Sequence, residues 1–594
     1  MRVRKQFGAV GLLLLASLIV VSPLVFNRTA IMGVDTYFHY NRVYEAAMQL
    51  QHHNFSFLNL YSFQQAGRVV NQLYSPLLTY LFGGLLLVVG SWFRFQILSI
   101  LILNFTAGLT MYWAARRLRF SRHTAVALGM MYLSSLSIYS FIFGTNWRAF
   151  ALAWVPLLIE PMKNFYHGDW SFRAMVSLGL IIGVIAQAQM MTMLLALPVL
   201  IPFFVVGLFK SRHLGRSLGY LGAAILTALV LCFNLIMPFL DLVKTNTLLP
   251  PAQQKLTSGV TDFILPFSSS NAAISNFVVF IVFYLGIAGL IYYWRTTSLF
   301  TKLLLITALV YIVLGTNLMP WQTIQKSWPA LSNFLQLPRR FGIIGVPLLL
   351  LGSVNLCQDV IGSDPQRPAN KLVNFAAVCF ALISVLSLTV AVQQATDQFD
   401  NASVSLAKGF QAQPGFINSH RYHGKKVTKV TQMQPILHAK NTALLIKVID
   451  RTTPDYVPIK KFNRKTHYYS LYNKLIIKPK AKYHYTVKAG GKLQLTWYQT
   501  KAASKRGIPV VAYTNSQITL NGQRLTAAQL HKTTLGTLRL KTPAGKNTLT
   551  VTYQPHKLTT ILTWTSVIAW LAGLIWLADR WRRSWQRAEK APAH

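Results

Sequence analysis

Acidic residues are what this sequence has least of. Its 594 positions hold 14 Asp and Glu against 58 Lys and Arg, a formal net charge of +44. Charged residues of both signs reach only 12%, about half the roughly 25% of a soluble domain. That shortage excludes an ordinary soluble fold. With 53% hydrophobic residues and many runs near the roughly 20 residues that cross a bilayer, the chain reads as an α-helical polytopic membrane protein. Cysteine is nearly absent as well. Cys232, Cys357 and Cys379 all fall in apolar segments, so no disulfide framework is expected in an exported domain, and no Cys/His spacing suggests zinc. No nucleic-acid motif accompanies the basic charge, and no nucleic-acid partner is expected. Anionic membrane lipids, lipid phosphates or an anionic cell-wall polymer fit it better.

Charge also orders the topology. Met1-Arg2-Val3-Arg4-Lys5 precedes an apolar run to Phe26, and Ser22-Pro23-Leu24-Val25-Phe26 offers no small-x-small cleavage site. The run reads as a retained first helix with a cytoplasmic N-terminus. Thirteen apolar segments stand out, near 7–26, 75–92, 96–114, 123–143, 146–162, 172–187, 190–208, 214–240, 273–294, 298–318, 341–357, 371–392 and 558–579. Arg580-Trp581-Arg582-Arg583 puts the C-terminus in the cytoplasm too, so the number of crossings is even. The basic loops around Arg116–Arg122, Lys210–Arg216, Arg295–Lys302 and Gln366–Lys371 all fall inside if 75–92 is a re-entrant or interfacial element. Omitting 146–162 instead strands the Arg116 cluster outside. The expectation is about 12 crossings, with a transmembrane domain over 1–392, a large first extracytoplasmic loop over 27–95, and a terminal helix and cytoplasmic tail over 558–594.

The polar block 393–557 then lies outside. Leu475–Pro479, Tyr483–Val487, Leu493–Tyr498 and Thr548–Tyr553 look like strands, separated by turn signals at Ala489-Gly490-Gly491, Asn521-Gly522 and Pro543-Ala544-Gly545. A small basic β-sandwich is expected there. The block holds 27 Lys and Arg and 4 acids, which suits either a grip on wall phosphates and lipid headgroups or simply a soluble basic surface.

So few acids make the search for chemistry short. Only Asp35, Glu45, Asp241 and Asp262 lie outside and close to the membrane core in this topology. Asp35 follows the first helix and opens Asp-Thr-Tyr-Phe-His-Tyr-Asn-Arg-Val-Tyr-Glu. On a helix Asp35, His39 and Arg42 share one face. A carboxylate there can deprotonate a hydroxyl, an imidazole can orient it or hold a phosphate, and a guanidinium can fork onto phosphate oxygens. The plainer reading is an Asp35 helix cap with His39 and Arg42 at the headgroup boundary. Arg148 and the Arg339-Arg340 pair fall at outer helix boundaries, where an arginine either has a partner or snorkels to lipid. Glu45, Asp241 and Asp262 are secondary candidates, the two aspartates for metal or acceptor binding. His52 and His53 are adjacent and point apart in regular structure. No metal site is assigned, and a divalent cation is left open.

The first loop resembles that of the GT-C superfamily of polytopic glycosyltransferases. More narrowly, the stretches Asp35–Arg42, Leu73–Tyr80, Asn146–Leu152, Leu335–Phe341 and Pro454–Pro458, in this order, are similar to a bacterial membrane family labelled 6-pyruvoyl-tetrahydropterin-synthase-related and to the YfhO-like proteins. That resemblance implies a GT-C-like fold in the bacterial cell membrane. It also implies transfer from a polyprenyl-phosphate-linked sugar to an envelope glycopolymer or glycolipid, with Asp35 as the catalytic base. His39, Arg42, Arg148, Arg339 and Arg340 would hold the lipid phosphate. The alternative is a non-catalytic scaffold or transporter in cell-envelope polysaccharide assembly.

Overall fold

The computed structural model describes residues 2–590 except 212, 252–253, 265–272, 363, 365–366, 401–420, 423–424, 427–429 and 450. Asp450, Gln366 and the stretch 401–420 of the polar block therefore lie outside the described residues. All thirteen apolar segments form helix. Among the described residues eight helices are long and apolar enough to cross a membrane, including Phe7–Phe26, Trp92–Arg117, Leu214–Thr245 and Arg339–Ile361. Phe172–Ala188, Phe277–Tyr292 and Leu299–Leu314 are shorter and equally apolar.

The segment after Asn146 is broken into Arg148–Leu152, Val155–Leu158 and Ile159–His167, because Pro156 and Pro161 cannot continue an α-helical ladder. It still runs the length of the bundle. Its first residues pack beside His39, and Lys163 Nζ donates to Arg117 O at 2.7 Å. Trp92 stacks on Tyr40 at the other end of the Trp92–Arg117 helix, whose 26 residues place Arg117 about 39 Å away. At that far end Arg116, Arg117, Arg119, Glu160, Lys163 and His167 are among the residues lining a cavity of about 390 Å³.

The Pro76–Val89 helix behaves differently. Thr79 bonds Arg42, and Trp92, just beyond the helix, stacks on Tyr40. Gly83 meets Ala46 and Ala47 so closely that a Cβ would lie 2.7 Å from Ala47 N. Both its ends thus stay with the Thr36–Gln51 helix, and it lies along that helix instead of running down the bundle.

The strands of the polar block beyond Tyr483 are β1 (His484–Lys488), β2 (Lys492–Gln499), β3 (Ala503–Val511), β4 (Ser516–Leu520), β5 (Gln523–Arg524), β6 (His531–Lys532), β7 (Thr537–Thr542) and β8 (Gly545–Tyr553). They form a five-stranded sheet in the order β1-β2-β8-β4-β5 and a three-stranded sheet in the order β3-β7-β6, antiparallel throughout. Leu493, Leu495, Leu538, Leu549 and Val551 bury between them. One expected strand is absent. Asn473–Ile477 is a π-helical turn, and Lys478 and Pro479 continue in helical geometry. Ile476 and Ile477 are consecutive buried residues, a pattern that a helical turn delivers to one side and a strand would split between two faces.

The sheet core is not closed by its own strands alone. Leu58, Leu60 and Val69 from the first loop and Leu242 from the Leu214–Thr245 helix join it, and Val511 N donates to Ala66 O at 2.8 Å. The first loop is thereby shared between the helical bundle and the sheet domain.

Candidate active site at the start of the Thr36–Gln51 helix

Asp35 stands at the N-cap position, where its type would ordinarily hold a backbone N–H of the first turn. Its side chain makes no capping bond. The helix start is fixed by other means. Gly33 packs on Gly144, where a Cβ would lie 2.5 Å from the Gly144 backbone. Asp35 N donates to Gly144 O at 3.1 Å, Gly33 N donates to Thr36 Oγ1 at 2.7 Å, and Thr36 Oγ1 and Thr145 Oγ1 are 2.6 Å apart. The half-buried carboxylate therefore has no structural task, and it accepts no hydrogen bond from a described residue.

Burial raises the Asp35 carboxyl above the ordinary carboxylate range, against the pull of Arg148, then Arg451, then Arg340. These three arginines come from three segments far apart in sequence. Arg148 follows the Gly144–Trp147 turn on which Asp35 docks. Arg340 opens the Arg339–Ile361 helix and donates to Gln336 Oε1 at 3.1 Å. Arg451 Nη1 donates to Val34 O at 2.7 Å, beside Asp35 in the chain. Arg339 is exposed and lies outside the set acting on Asp35. The Nε atoms of Arg148 and Arg340, like those of Arg42 and Arg68, are buried without a hydrogen-bond partner among the described residues.

His39 and Arg42 lie one and two turns further along. His39 stacks on Trp147 with ring centres 4.8 Å apart. Arg42 is fully buried, with Nη1 3.1 Å from His39 Nδ1 and Nη2 donating to Thr79 Oγ1 at 2.6 Å. An arginine can only donate, so Nδ1 accepts and the ring proton sits on Nε2. Burial and Arg42 push His39 well below its ordinary range, and the ring is neutral. Tyr74 covers the Arg42 guanidinium at 4.3 Å. Arg42 thus commits both Nη atoms inside the protein and sets the position of His39, while its buried Nε has no partner among the described residues.

The structure brings in four residues that the sequence reading left aside: Arg451, Asp455, Tyr456 and Tyr74. The hydroxyls of Tyr74 and Tyr456 are 3.3 Å apart. Asp455 is pushed up to about 6 by burial, against Arg68 and Arg451 and with a contribution from Asp35. Tyr456 has φ 65, a left-handed conformation that costs a side-chain-bearing residue about 1 kcal/mol or more. The segment is held from below by the first loop. Fully buried Arg68 donates to Thr453 O at 2.6 Å and Asp455 O at 2.5 Å. Gln64 Nε2 donates to Tyr37 OH at 3.0 Å and Arg451 O at 3.3 Å. Phe63, Gln64 and Gln65 all have positive φ, and this strained strap ties the Asp35 helix to the Arg451–Tyr456 segment. The signal was present in the sequence as Pro454-Asp455-Tyr456-Val457-Pro458, but nothing in it indicated distance to Asp35.

The other acids have structural tasks. Fully buried Glu45 accepts from the backbone of Leu60, Tyr61 and Ser62, the Ser62 hydroxyl and Gln49 Nε2, at 2.7–3.0 Å. Glu45→Ala leaves those buried donors unpaired at about 1–3 kcal/mol each, so a loss of at least about 4 kcal/mol is expected, read as a collapsed thermal transition in detergent. Asp241 accepts from Asn515 Nδ2 and His556 N and fastens its helix to the sheet domain. Exposed Asp262 caps Ile264 N at 2.8 Å. Neither aspartate sits in the arginine cluster, and among the described residues no three His, Cys, Asp or Glu gather as metal ligands.

Asp455 supplies a pH test. A carboxyl raised on folding contributes stability below its unfolded pKa and loses it as pH climbs through the folded value. Asp455→Asn is therefore expected to match the parent near pH 4 and to melt higher than it at pH 8, measured as apparent Tm across that range.

No family model and no curated protein matches the chain. Among solved structures it is similar to the arabinofuranosyltransferase AftD from Mycobacteria, at 14% identity and a TM-score of 0.46, covering 76% of this chain and 32% of that one. It is also similar to the oligosaccharyltransferase of Archaeoglobus fulgidus in its apo form, at 14% identity and a TM-score of 0.37, covering 69% of this chain and 59% of that one. The chain thus spans under two thirds of the length of either.

Proposed function

We propose that this chain is a membrane glycosyltransferase that moves a sugar from a polyprenyl-phosphate donor to an extracytoplasmic glycopolymer or glycolipid of a bacterial envelope. In this reading both termini are cytoplasmic, and Asp35 and the sheet domain face outside. The affiliation with the 6-pyruvoyl-tetrahydropterin-synthase-related and YfhO-like families belongs to the same proposal and rests on the ordered sequence stretches. The observation that carries the function is the Asp35 carboxylate, which accepts no hydrogen bond from a described residue and lies within electrostatic reach of arginines from three segments.

The chemistry follows from charge. An acceptor oxygen attacks the anomeric carbon while Asp35 takes its proton. The bond from that carbon to the phosphate oxygen breaks, and the configuration inverts. The donor phosphodiester carries one negative charge, and the departing polyprenyl phosphate carries up to two. Arg148, Arg340 and Arg451 gain attraction as that second charge develops, which is how a site favours the transition state over bound donor. Neutral His39 orients the site or offers Nε2–H to the phosphate, and Arg42 acts through it. Arg339, exposed beside Arg340, guides the lipid phosphate in.

The experiment is transfer of labelled sugar from a synthetic polyprenyl-phosphate sugar by the purified protein and by Asp35→Asn. Donor-dependent transfer lost in the variant supports the reading. Full transfer by the variant, or normal polymer assembly in cells carrying it, would favour a non-catalytic scaffold or transporter instead.

A further inference from the structure

The sheet domain presents a surface that chemistry at Asp35 does not use. From Tyr456 to Lys557 the sequence carries 19 Lys and Arg and no Asp or Glu. A surface charged only for solubility mixes both signs, because a field of one sign repels itself. Here cations even oppose each other on neighbouring strands, Lys488 facing Lys492. Such pairs weaken a sheet.

The outward face of the three-stranded sheet concentrates this charge. Its central strand β7 turns Leu538 and Leu540 inward and Arg539 and Lys541 outward. The register sets His531 beside Arg539 on one side and Gly507 on the other. Lys505 lies where β3 bulges opposite Lys541, and both Lys505 and Gly507 are exposed. Arg506 between them turns away, its Nε donating to Tyr483 OH at 3.1 Å. A Cβ at Gly507 would meet nothing within 4 Å. The result is an open strip of backbone bordered by Lys505, Arg539, Lys541 and His531, none of which makes a side-chain hydrogen bond or ion pair with a described residue. Neighbouring cations are set at strand steps of about 5–7 Å. No large apolar side chain is exposed on β3, β6 or β7, so the face lacks the anchors that would seat it in a bilayer surface.

We propose that this face binds a phosphate-rich anionic polymer, laid along Gly507 and gripped by Lys505, Arg539, Lys541 and His531. The proposal is independent of catalysis at Asp35. It is tested with the full-length protein in phosphatidylcholine nanodiscs, titrated with long-chain inorganic polyphosphate and, separately, with monophosphate. The Lys505→Gln/Arg539→Gln/Lys541→Gln variant is expected to bind polyphosphate at least about tenfold more weakly, with a shallower salt dependence. Lys488→Gln/Lys492→Gln/Lys546→Gln removes equal charge from the other sheet and is expected to change binding less than about threefold. Gly507→Glu, which removes no side chain and enters open space, is expected to weaken binding as well. Equal losses in the two triple variants overturn the proposal, as does unchanged binding in Gly507→Glu. Loss of binding to phosphatidylglycerol vesicles with polyphosphate binding intact would make the face a membrane contact and overturn it too.

Discussion

Asp35→Asn is expected to lower sugar transfer by about 10³-fold or more while the protein folds and melts as before. A positioned general base is worth roughly 10²–10⁴ in rate, and Asn has the shape of Asp without its basicity. Stability is spared for a local reason: the carboxylate neither caps its helix nor accepts a hydrogen bond from a described residue. Burial already holds its pKa above the ordinary value, so a neutral isostere meets no folding penalty at neutral pH. The parent protein should show the same shift in the pH profile of transfer. The base form of a raised carboxyl appears only above that raised pKa, so kcat/KM climbs with pH and then levels. A variant that keeps full activity, or a parent with a flat acid limb, would remove Asp35 from the reaction.

The second large effect separates two adjacent arginines. Arg340 acts on Asp35 and lies close enough to Tyr74 and Tyr456 to interact with both, whereas exposed Arg339 does not act on Asp35. Arg340→Gln is expected to cut kcat about 10²–10³-fold, the loss of one preorganised charge at a developing anion. Because the attraction grows as the phosphate gains its second charge, donor KM should move far less than kcat. Arg339→Gln is expected to stay within about threefold of the parent in kcat, with any change in KM, as befits a rim charge. Steady-state kinetics of the two variants decide it. Equal losses, or a loss confined to KM in Arg340→Gln, would place the leaving phosphate elsewhere.

Much of the architecture was legible in the sequence because a bilayer imposes a simple code. Apolar length marks each helix, and arginine clusters set their expected orientation. The same clusters made 75–92 the segment expected to be re-entrant or interfacial, and Pro76–Val89 packs against the Thr36–Gln51 helix. The sheet turns at Gly490–Gly491, Asn521–Gly522 and Pro543–Gly545 were equally plain, since turn residues act through local backbone preferences. Leu475–Pro479 was misread because a short apolar run fits a strand or a helical turn equally well.

For the site, Asp35, Arg148 and the Arg339-Arg340 pair were found by the scarcity of acids and the cost of arginine at a membrane boundary. Sequence could not rank the two arginines, nor discard Glu45, Asp241 and Asp262, because a carboxylate saturated with hydrogen bonds reads the same in one letter as one with none. Arg451 and Asp455 were passed over for a related reason. They lie more than 400 positions beyond Asp35 and come to it only because the first loop packs into the sheet core and Arg68 and Gln64 grip the chain between Arg451 and Asp455.

By itself, then, the sequence determined that this is a membrane protein with a basic sheet domain and one acid well placed for chemistry, because hydropathy and charge act residue by residue. Which arginines act on that acid, which of its rivals are spent, and that the Arg451–Tyr456 segment is brought beside it were decided only by tertiary structure. Burial and hydrogen bonding belong to the neighbours a residue acquires when the chain folds.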